Sequence, residues 1–383
     1  MAKQRAKLKK WQIALLIVLG VLLALLLGAF AVMKIYLGQM GRVGKDEVEI
    51  IAPEDEFFDE DVAEETPSPS TPAEPPEESA TEPEEAVGAG TEPAGDASSA
   101  AGTETDSSAE VLNIDPADVE WSFIERIEDD HLINILLVGQ DKYPGTQSNK
   151  RQRSDSMILC SINPKTGKVS MISFLRDMYV EIPGGYSDNR LNVPFVLGGF
   201  PLLNQTLTTN FGVSIDANFS VDMTGFTAIL EMLGGVDVEL TAEEAEYMRT
   251  TWHQDTHEGV NHLDAQYALF YSQLRKVGND FTRTGRQRKV LMSVFQQVKG
   301  LPASELLTLM YDMLPYMTTD LTDTEILALA YRLLPMLSSV SVETHSVPSS
   351  GSYRYATIRK MSVILPDREK IRQQLQDEYL PLN

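Results

Sequence analysis

The sequence predicts an α/β domain with a central mixed β-sheet covered by helices on both faces, an α-β-α sandwich, preceded by one transmembrane helix and a disordered linker. Three observations support this prediction. From residue 132 onward, short apolar runs alternate with longer helical patterns, as in a sheet covered by helices. Residues 13–33 are apolar and carry no charge. Between these parts lies an acidic stretch rich in Pro, Ser and Thr.

The N-terminal apolar run is long enough to cross a hydrocarbon core of roughly 30 Å. Five Lys and Arg residues precede it, and such residues remain on the cytoplasmic side. We therefore expect residues 1–11 to be cytoplasmic, residues 12–36 to form a signal-anchor helix in the cell membrane, and the rest of the chain to be extracytoplasmic. A cleaved signal peptide is the alternative, because Ala29, Phe30 and Ala31 resemble a cleavage site.

Residues 37–118 are interpreted as a disordered spacer, since their composition cannot bury enough apolar surface to offset the chain entropy. Residues 46–130 hold 29 of the 56 acidic residues and only one basic residue, Arg126. The formal net charge of -24 therefore arises in this segment. It gives no information about the partners of the folded part.

The folded part is predicted over residues 119–383, with a motif core at 131–300 and a helical C-terminal part at 301–383. Its single cysteine, Cys160, lies in an apolar run and is expected to be a buried thiol. The predicted strands are 132–138, 157–162, 169–175, 218–221, 236–240 and 363–365, and the second and third form a hairpin. The predicted helices are 201–210, 225–233, 264–274, 284–298, 301–314, 325–337 and 368–379.

Polar residues stand at the ends of the first three predicted strands. Asp141 follows the first strand, Arg153 and Asp155 precede the second, and Arg176 and Asp177 end the third. An antiparallel hairpin places Asp155 beside Arg176 at one edge of the sheet. If the first strand is parallel to the third, Asp141 reaches the same edge, where open α/β sheets bind ligands.

This combination of side chains is suited to a diphosphate. Two carboxylates, Asp141 and Asp155, can hold Mg²⁺ or Mn²⁺, which completes its shell with water and phosphate oxygens. Arginine binds phosphate through two parallel hydrogen bonds and keeps its charge. Each residue taken singly is explained as well by a turn or a surface ion pair.

A basic cluster follows the predicted helix 264–274. It comprises Arg275, Lys276, Asp280, Arg283, Arg286, Gln287, Arg288 and Lys289. A basic helix is usually only solvated. This cluster, however, lies at the start of the helix predicted from residue 284, and the backbone amides in the first turn of a helix favour anions over cations. The cluster therefore indicates an anion-binding site.

Five ordered motifs resemble the LytR-CpsA-Psr family of wall-polymer ligases. They are the segment 134–141 ending at Asp141, the segments 153–157, 161–165 and 175–177, and the segment 280–287. The resemblance covers roughly residues 132–300. Three positions depart from the family pattern: Gln273 replaces an arginine, Val193 a histidine and Thr282 a glycine.

The resemblance implies a phosphotransferase that moves an anionic glycopolymer, teichoic-acid-like or capsular, from an undecaprenyl-pyrophosphate carrier to N-acetylmuramic acid of peptidoglycan. It implies that Asp141 and Asp155 hold the metal and that apolar helices enclose the polyprenyl tail. The implied catalytic residues are Asp155, Arg176, Asp177 and Arg283, with Asp155 or Asp177 taking the hydroxyl proton. The implied pyrophosphate-binding residues are Arg153, Arg176, Arg190, Asn192, Arg275, Arg283, Arg286 and Gln287.

Two other functions remain compatible with the sequence. A phosphohydrolase would use the same residues with water in place of the sugar hydroxyl. The second function is that of a non-enzymatic scaffold that binds the carrier lipid. It remains open because Gln273 stands where the family pattern has an arginine, so the site has one cation fewer. A nucleic-acid partner conflicts with the expected exported topology.

Overall fold

The computed structural model of the protein describes residues 34, 37–44, 111–140, 152–333, 336 and 339–382. The predicted membrane helix, apart from Lys34, lies outside the described residues, as do most of the predicted spacer and Asp141. Among the described residues, no helix combines the length and the apolar character needed to cross a membrane.

Fourteen strands lie within the described residues. They are β1 Gly41–Arg42, β2 Leu112–Ile114, β3 Ile133–Gln140, β4 Ser154–Asn163, β5 Lys168–Phe174, β6 Tyr179–Val180, β7 Asn189–Arg190, β8 Ala217–Asp222, β9 Val236–Leu240, β10 Gly259–Leu263, β11 Thr318–Thr319, β12 Ser341–Val347, β13 Tyr353–Ile358 and β14 Met361–Pro366. The α-helices are α1 Val193–Phe211, α2 Met223–Met232, α3 Ala242–Thr251, α4 Ala265–Gln273, α5 Asp280–Lys299, α6 Ala303–Met313, α7 Asp323–Leu333 and α8 Arg368–Gln374. A π-helical turn, Leu375–Tyr379, follows α8.

The main sheet has the strand order β1-β11-β8-β3-β4-β5-β12 in the described part of the chain. Strand β4 is antiparallel to both β3 and β5, whereas β3 is parallel to β8 and β5 is parallel to β12. The sheet is therefore mixed, as predicted, and β3 and β5 point in the same direction. The predicted antiparallel pairing of β4 with β5 and the predicted common direction of β3 and β5 are both confirmed.

Helices pack on both faces of this sheet because its central strands are apolar on both sides. Leu136, Leu159 and Ile172 lie on one face, in the core cluster that includes residues of α1 and α8. Ile135 and Cys160 lie on the other face, where residues of α5 and α7 pack. The predicted layered architecture is present.

The β4–β5 hairpin forms as the sequence predicts. Its turn is fixed by the side chain of Asn163, whose Oδ1 accepts hydrogen bonds from the backbone N–H groups of Lys165 at 3.0 Å and Thr166 at 3.3 Å. This is the local chemistry by which asparagine favours turns. The hairpin is thus determined within a few residues of sequence.

Helix α5 begins at Asp280, four residues before the predicted start. Asn279 caps it, because its Oδ1 accepts the N–H of Thr282 at 3.1 Å and the Thr282 hydroxyl accepts the N–H of Asn279 at 2.8 Å. The first turn therefore carries the acid Asp280, and Arg283 lies beyond it. The expected conflict between arginines and the helix N-terminus was wrong, since an acidic first turn agrees with the helix dipole.

The C-terminal part contains more sheet than the sequence predicted. Strand β12 adds to the edge of the main sheet beside β5, and β13 pairs with β2 and β14. Only the position of β14 was predicted. Helix α3 was also missed, although Thr241 and Glu244 form a capping box at its start.

A second core cluster joins the antiparallel pair of β9 and β10 to residues of α2, α3, α4 and α5. Tyr271 and Val290 are fully buried in it. This cluster fixes the segment between α4 and α5, which carries Arg275, at one end of the main sheet.

Candidate active site

The candidate site lies where β3 ends, β4 begins and β5 ends. Gln140 at the end of β3 pairs with Ser154 at the start of β4, and Asp155 is the next residue. Arg176 follows the end of β5, and its Nη1 forms an ion pair with Oδ1 of Asp155. The side chains are only 11% and 17% exposed, so the pair is largely shielded from water. The predicted contact between Asp155 and Arg176 is present.

Asp177 and Arg190 extend this ion-paired group. The Asp177 Oδ1 lies 3.7 Å from Nε of Arg176 and 3.9 Å from Nε of Arg190. The Nη2 of Arg190 also donates to the carbonyl of Ser362 at 2.7 Å. Both Asp155 and Asp177 are therefore engaged by arginines.

The start of helix α5 brings a third arginine to the same edge. Arg283 is 2% exposed, and its Nη2 lies 2.5 Å from Oδ1 of Asp280. Among the described residues, Nε of Arg283 has no hydrogen-bond partner. The same is true of Oε1 of Gln287, one turn further along the helix. A buried guanidinium N–H without an acceptor costs free energy unless a ligand supplies one.

The pKa shifts show that these charges act on one another. Burial alone would lower the pKa of Arg176, but the carboxylates of Asp155 and Asp177 outweigh it and raise that pKa. Burial and then the positive charge of Arg176 lower the pKa of Arg283. Burial raises the pKa of Asp280 above its usual value. Arg176 and Arg283 thus share one low-dielectric region, in which a bound anion would relieve their repulsion.

Asp155 and Arg283 of this charged group line a cavity of about 600 Å³. The walls are mainly apolar side chains from β3, β4, β8, α2, α4 and α5: Leu137, Ile158, Phe219, Phe226, Ile229, Leu269, Leu291 and Val294. Met313 and Met317 also line it. The polar lining includes Asp155, Gln273, Arg275, Arg283 and Gln287. A cavity lined by many apolar side chains and by two arginines suits an amphiphile that has an anionic head.

Asn192 supports the site through its backbone. Its carbonyl accepts the N–H of Ser154 at 3.4 Å, and its N–H donates to the carbonyl of Arg176 at 3.3 Å. The side chain is buried, and its Oδ1 has no hydrogen-bond partner among the described residues. Asn192 therefore joins the start of β4 to the end of β5. Arg153 lies just before β4, outside the residues that line the cavity.

Arg286 does not reach the cavity, contrary to the expectation that it binds pyrophosphate. It is 2% exposed, and its Nε donates to Oε1 of Glu244 at 2.7 Å. Its terminal nitrogens donate to the carbonyls of Leu274 and Val277. Arg286 lies on the side of α5 that faces α3 and α4. Its structural function is to hold the segment that carries Arg275.

One carboxylate of the site, Asp222, was not identified from the sequence. Asp222 ends β8, next to Gln140 in the parallel pair, and it lines the cavity. Its Oδ1 accepts the N–H of Gly225 at 2.8 Å and caps α2. The available signal was a carboxylate directly after a strand. That signal was used for Asp141 and passed over at this position.

The comparisons with known proteins agree with this geometry. The model of the LytR_cpsA_psr family matches residues 93–377. A polyisoprenyl-teichoic acid–peptidoglycan teichoic acid transferase TagU of Bacillus cereus is 33% identical over 186 residues, which are 47% of this chain and 57% of that protein. The TagU of Enterococcus faecalis is 32% identical over 199 residues, 49% of this chain and 61% of that protein. The matches therefore span less than two thirds of these relatives.

Solved structures show the same fold. The crystal structure of B. subtilis TagV aligns with a TM-score of 0.53 and 25% identity over 65% of this chain and 97% of that one. The structure of TagT bound to LIIa-WTA aligns with a TM-score of 0.53 and 22% identity over 68% of this chain and 96% of that one. Because the family model covers most of the sequence in the order of the motifs, the chain belongs to the LytR_cpsA_psr family.

Proposed function

We propose that this protein is a transferase that moves an anionic glycopolymer from a polyprenyl-pyrophosphate carrier to peptidoglycan. The proposal rests on one observation. The apolar cavity of about 600 Å³ is also lined by the buried guanidinium of Arg283, whose Nε has no hydrogen-bond partner among the described residues. A ligand that satisfies both parts has a long hydrocarbon tail and a phosphate head. A polyprenyl pyrophosphate has this composition.

The apolar walls and the arginines of the cavity contribute to the binding free energy in different ways. Burial of the tail contributes roughly 25 cal/mol for each Å² of apolar surface removed from water. The head supplies oxygen acceptors for Arg283 and adds negative charge beside Arg176 and Arg275. Hydrogen bonds to charged groups contribute about 1.5–3 kcal/mol each. The arginines therefore select a diphosphate, and the apolar walls select its lipid.

The named relatives support a wall-polymer substrate. The TagU proteins of Bacillus cereus and Enterococcus faecalis are named as teichoic acid transferases that act on peptidoglycan. TagT, which shares the fold, is bound to LIIa-WTA. We extend the teichoic-acid-like substrate to this chain. A capsular polymer presents the same phosphate chemistry at the carrier.

The residues present are compatible with a magnesium or manganese ion at the diphosphate. Asp155 lines the cavity, and its Oδ1 accepts a hydrogen bond from Nη1 of Arg176. The described residues contain no group of three His, Cys, Asp or Glu side chains placed to hold a metal. Mg²⁺ needs one or two protein carboxylates, and Asp155 with Asp141 would provide them. When bound, the ion would neutralise charge on the phosphate oxygens.

The side chains of this chain then have distinct tasks. Arg283 and Arg275 bind the diphosphate, and Arg176 holds the Asp155 carboxylate in place. Charge that develops on the departing carrier phosphate is stabilised by these fixed cations in a region that excludes water. Because the guanidinium groups are already fixed, little reorganisation is needed during the reaction.

We also propose that the domain acts outside the cell membrane, anchored by residues 12–36. The support is the apolar, uncharged run 13–33 and the basic residues before it. A reporter enzyme fused after residue 383 and active only in the periplasm or on the outer surface tests this orientation. Activity of a cytoplasm-specific reporter would contradict it.

The experiment that tests the function uses the full chain, purified in mild detergent. It is incubated with a short synthetic polyprenyl-pyrophosphate glycan and peptidoglycan fragments, with and without Mg²⁺. We expect a covalent polymer–peptidoglycan product, and we expect Asp155→Ala and Arg283→Gln each to reduce its rate of formation about 100-fold or more. Arg332→Gln, at an exposed position on α7, serves as the matched control.

The other functions give different results in the same assay. Release of phosphate without a covalent product would identify a phosphohydrolase. Full complementation of a deletion strain by Asp155→Ala, with no turnover in vitro, would identify a lipid-binding scaffold. Either result would contradict the proposed transfer.

A further inference from the structure

A second cavity adjoins the first and has no assigned function. Its volume is about 450 Å³, and it lies between α1, α2 and the ends of β8 and β11. Gln140, Ser220, Asp222 and Met317 line both cavities. The Nε2 of Gln140 donates to Oγ of Ser220 at 3.1 Å, so this pair stands at the boundary. The two cavities therefore meet at the carboxyl ends of β3 and β8.

The lining of this second cavity differs from that of the first. It combines the aromatic side chains of Phe195, Phe200 and Tyr316 with the hydroxyls of Thr224 and Thr318. The described residues that line it include no arginine, lysine or histidine. A carboxylate, Asp222, is present instead. This lining disfavours an anion and suits a ligand with hydroxyl donors and apolar faces, as a sugar ring has.

The walls of the cavity are set by close backbone contacts. Gly199, with φ 64° and ψ -153°, interrupts α1 beside Phe200. A Cβ at Gly225 would lie 2.7 Å from the carbonyl oxygen of Tyr316, so only glycine lets that segment approach α2. Phe195 and Phe200 are 3% and 2% exposed, whereas Tyr316 is 39% exposed. The cavity thus has a buried aromatic floor and an accessible rim.

Asp222 differs from the other carboxylates of the site. Asp155 and Asp177 are engaged by Arg176. Among the described residues, the Asp222 carboxylate has no ion-pair partner and accepts one hydrogen bond, from Gly225 N–H. Its backbone lies two strand spacings from the start of β4, roughly 10 Å across the sheet. An acceptor and a phosphate can bridge that distance.

The position of the second cavity fits an in-line displacement. The carrier tail occupies the first cavity, on the α5 side of the sheet, so the departing phosphate lies toward that side. The attacking group must approach from the opposite side of the transferred phosphorus. The second cavity is lined by Phe195, Gly199 and Phe200 of α1, the helix that packs on the opposite face of the sheet from α5.

We propose that the second cavity binds a sugar ring of the acceptor glycan strand and that Asp222 accepts the proton of the attacking hydroxyl. The inference rests on the proposed transferase function and adds the acceptor site to it. The hydroxyl oxygen forms a bond to the phosphorus that carries the polymer. The bond from that phosphorus to the bridging oxygen breaks, and carrier monophosphate leaves with the electron pair. The proton passes to the free oxygen of Asp222 and then to water.

Two substitutions with one matched control test this inference in the full chain. Asp222→Asn keeps an N-cap oxygen for α2 but cannot take a proton. We expect its kcat to fall about 100-fold or more, with loss of the acidic limb of the pH–rate profile. Its affinity for the polyprenyl-pyrophosphate carrier should not decrease, because the substitution removes a negative charge from the lining of the carrier cavity. Retention of wild-type kcat by Asp222→Asn would overturn the role of this carboxylate.

Thr224→Val removes one hydroxyl from the second cavity. Thr227→Val makes the same change on α2 at a residue that lines neither cavity. We expect Thr224→Val to raise KM for the acceptor up to about tenfold, as expected for one lost hydrogen bond, and Thr227→Val to leave it unchanged. Equal KM values for the two variants would place the acceptor elsewhere.

Direct binding separates this inference from the proposed function. A synthetic disaccharide of the peptidoglycan glycan strand is added without carrier, and saturation-transfer NMR measures its contact with the protein. Binding that Thr224→Val weakens supports the sugar site even if no polymer is transferred. Transfer by the wild type with no effect of either substitution would refute the site while leaving the proposed function intact.

Discussion

Replacing Arg286 by leucine separates a structural role from a ligand-binding role. The Arg286 guanidinium is buried against Glu244 and donates to two backbone carbonyls. Arg286→Leu would leave a buried carboxylate and two carbonyls without these donors. Breaking a buried ion pair costs about 3–5 kcal/mol. For a domain of this size, that corresponds to a decrease in Tm of roughly 6–20 °C.

The assay is thermal unfolding followed by circular dichroism, with Arg332→Leu as the exposed control on α7. Carrier affinity is then measured at a temperature where the variant is folded. Because Arg286 lies outside the cavity, we expect a much smaller loss of affinity than in Arg283→Gln. An unchanged Tm together with a 100-fold loss of carrier affinity would show that Arg286 contacts the diphosphate.

The same pair predicts a dependence of stability on pH. Burial would raise the pKa of Glu244, but hydrogen bonds from the Thr241 N–H and from Arg286 outweigh it and lower that pKa below its usual value of 4.5. A lowered pKa contributes stability that is present above pH 4.5 and is lost as the pH falls through the folded-state value. The Tm should therefore decrease below pH 4.5 in the wild type, and less steeply in Glu244→Gln. Parallel Tm–pH curves for the two proteins would contradict this assignment.

Three further predictions concern single side chains. Arg283→Gln should weaken carrier binding about 10–100-fold in equilibrium titrations, because it removes a charge-assisted hydrogen bond. Affinity equal to that of Arg332→Gln would exclude a diphosphate contact. Gln273→Arg should strengthen binding about tenfold, since Gln273 lines the cavity beside Arg275. Weaker binding would mean that the added cation repels Arg275 more than it attracts the ligand. Cys160 is 8% exposed, and burial raises the pKa of its thiol to about 12. It should react with a disulfide reagent only after unfolding, and fast labelling of the native protein would contradict its placement in the core.

Local chemistry explains why part of the site was predictable. The turn at Asn163 requires β4 and β5 to be antiparallel, and this alone places Asp155 beside Arg176. The apolar residues of β3 predicted a buried strand, and the polar residues that follow them indicated the edge of the sheet. In both cases the determining residues are neighbours in the sequence.

The orientation of α5 is a different case. Arg283 and Arg286 are three residues apart, so helical spacing alone gives them similar directions. Arg283 borders the cavity, whereas Arg286 pairs with Glu244 more than 40 positions earlier in the chain. Which arginine reaches the ligand depends on how the helix is rotated between the main sheet and α3. That rotation is set by packing between distant segments.

The sequence by itself determined the mixed sheet, the hairpin and the edge that carries the ion-paired carboxylates, because each follows from short-range periodicity and turn chemistry. Only the tertiary structure decided the cavity, the role of Arg286 and the position of Asp222. Those features arise where β3, β8, α2 and α5 meet, and their contacts link residues far apart in the chain. Edge strand β12 was missed for the same reason: its alternating polar residues become a strand only when β5 supplies the hydrogen bonds.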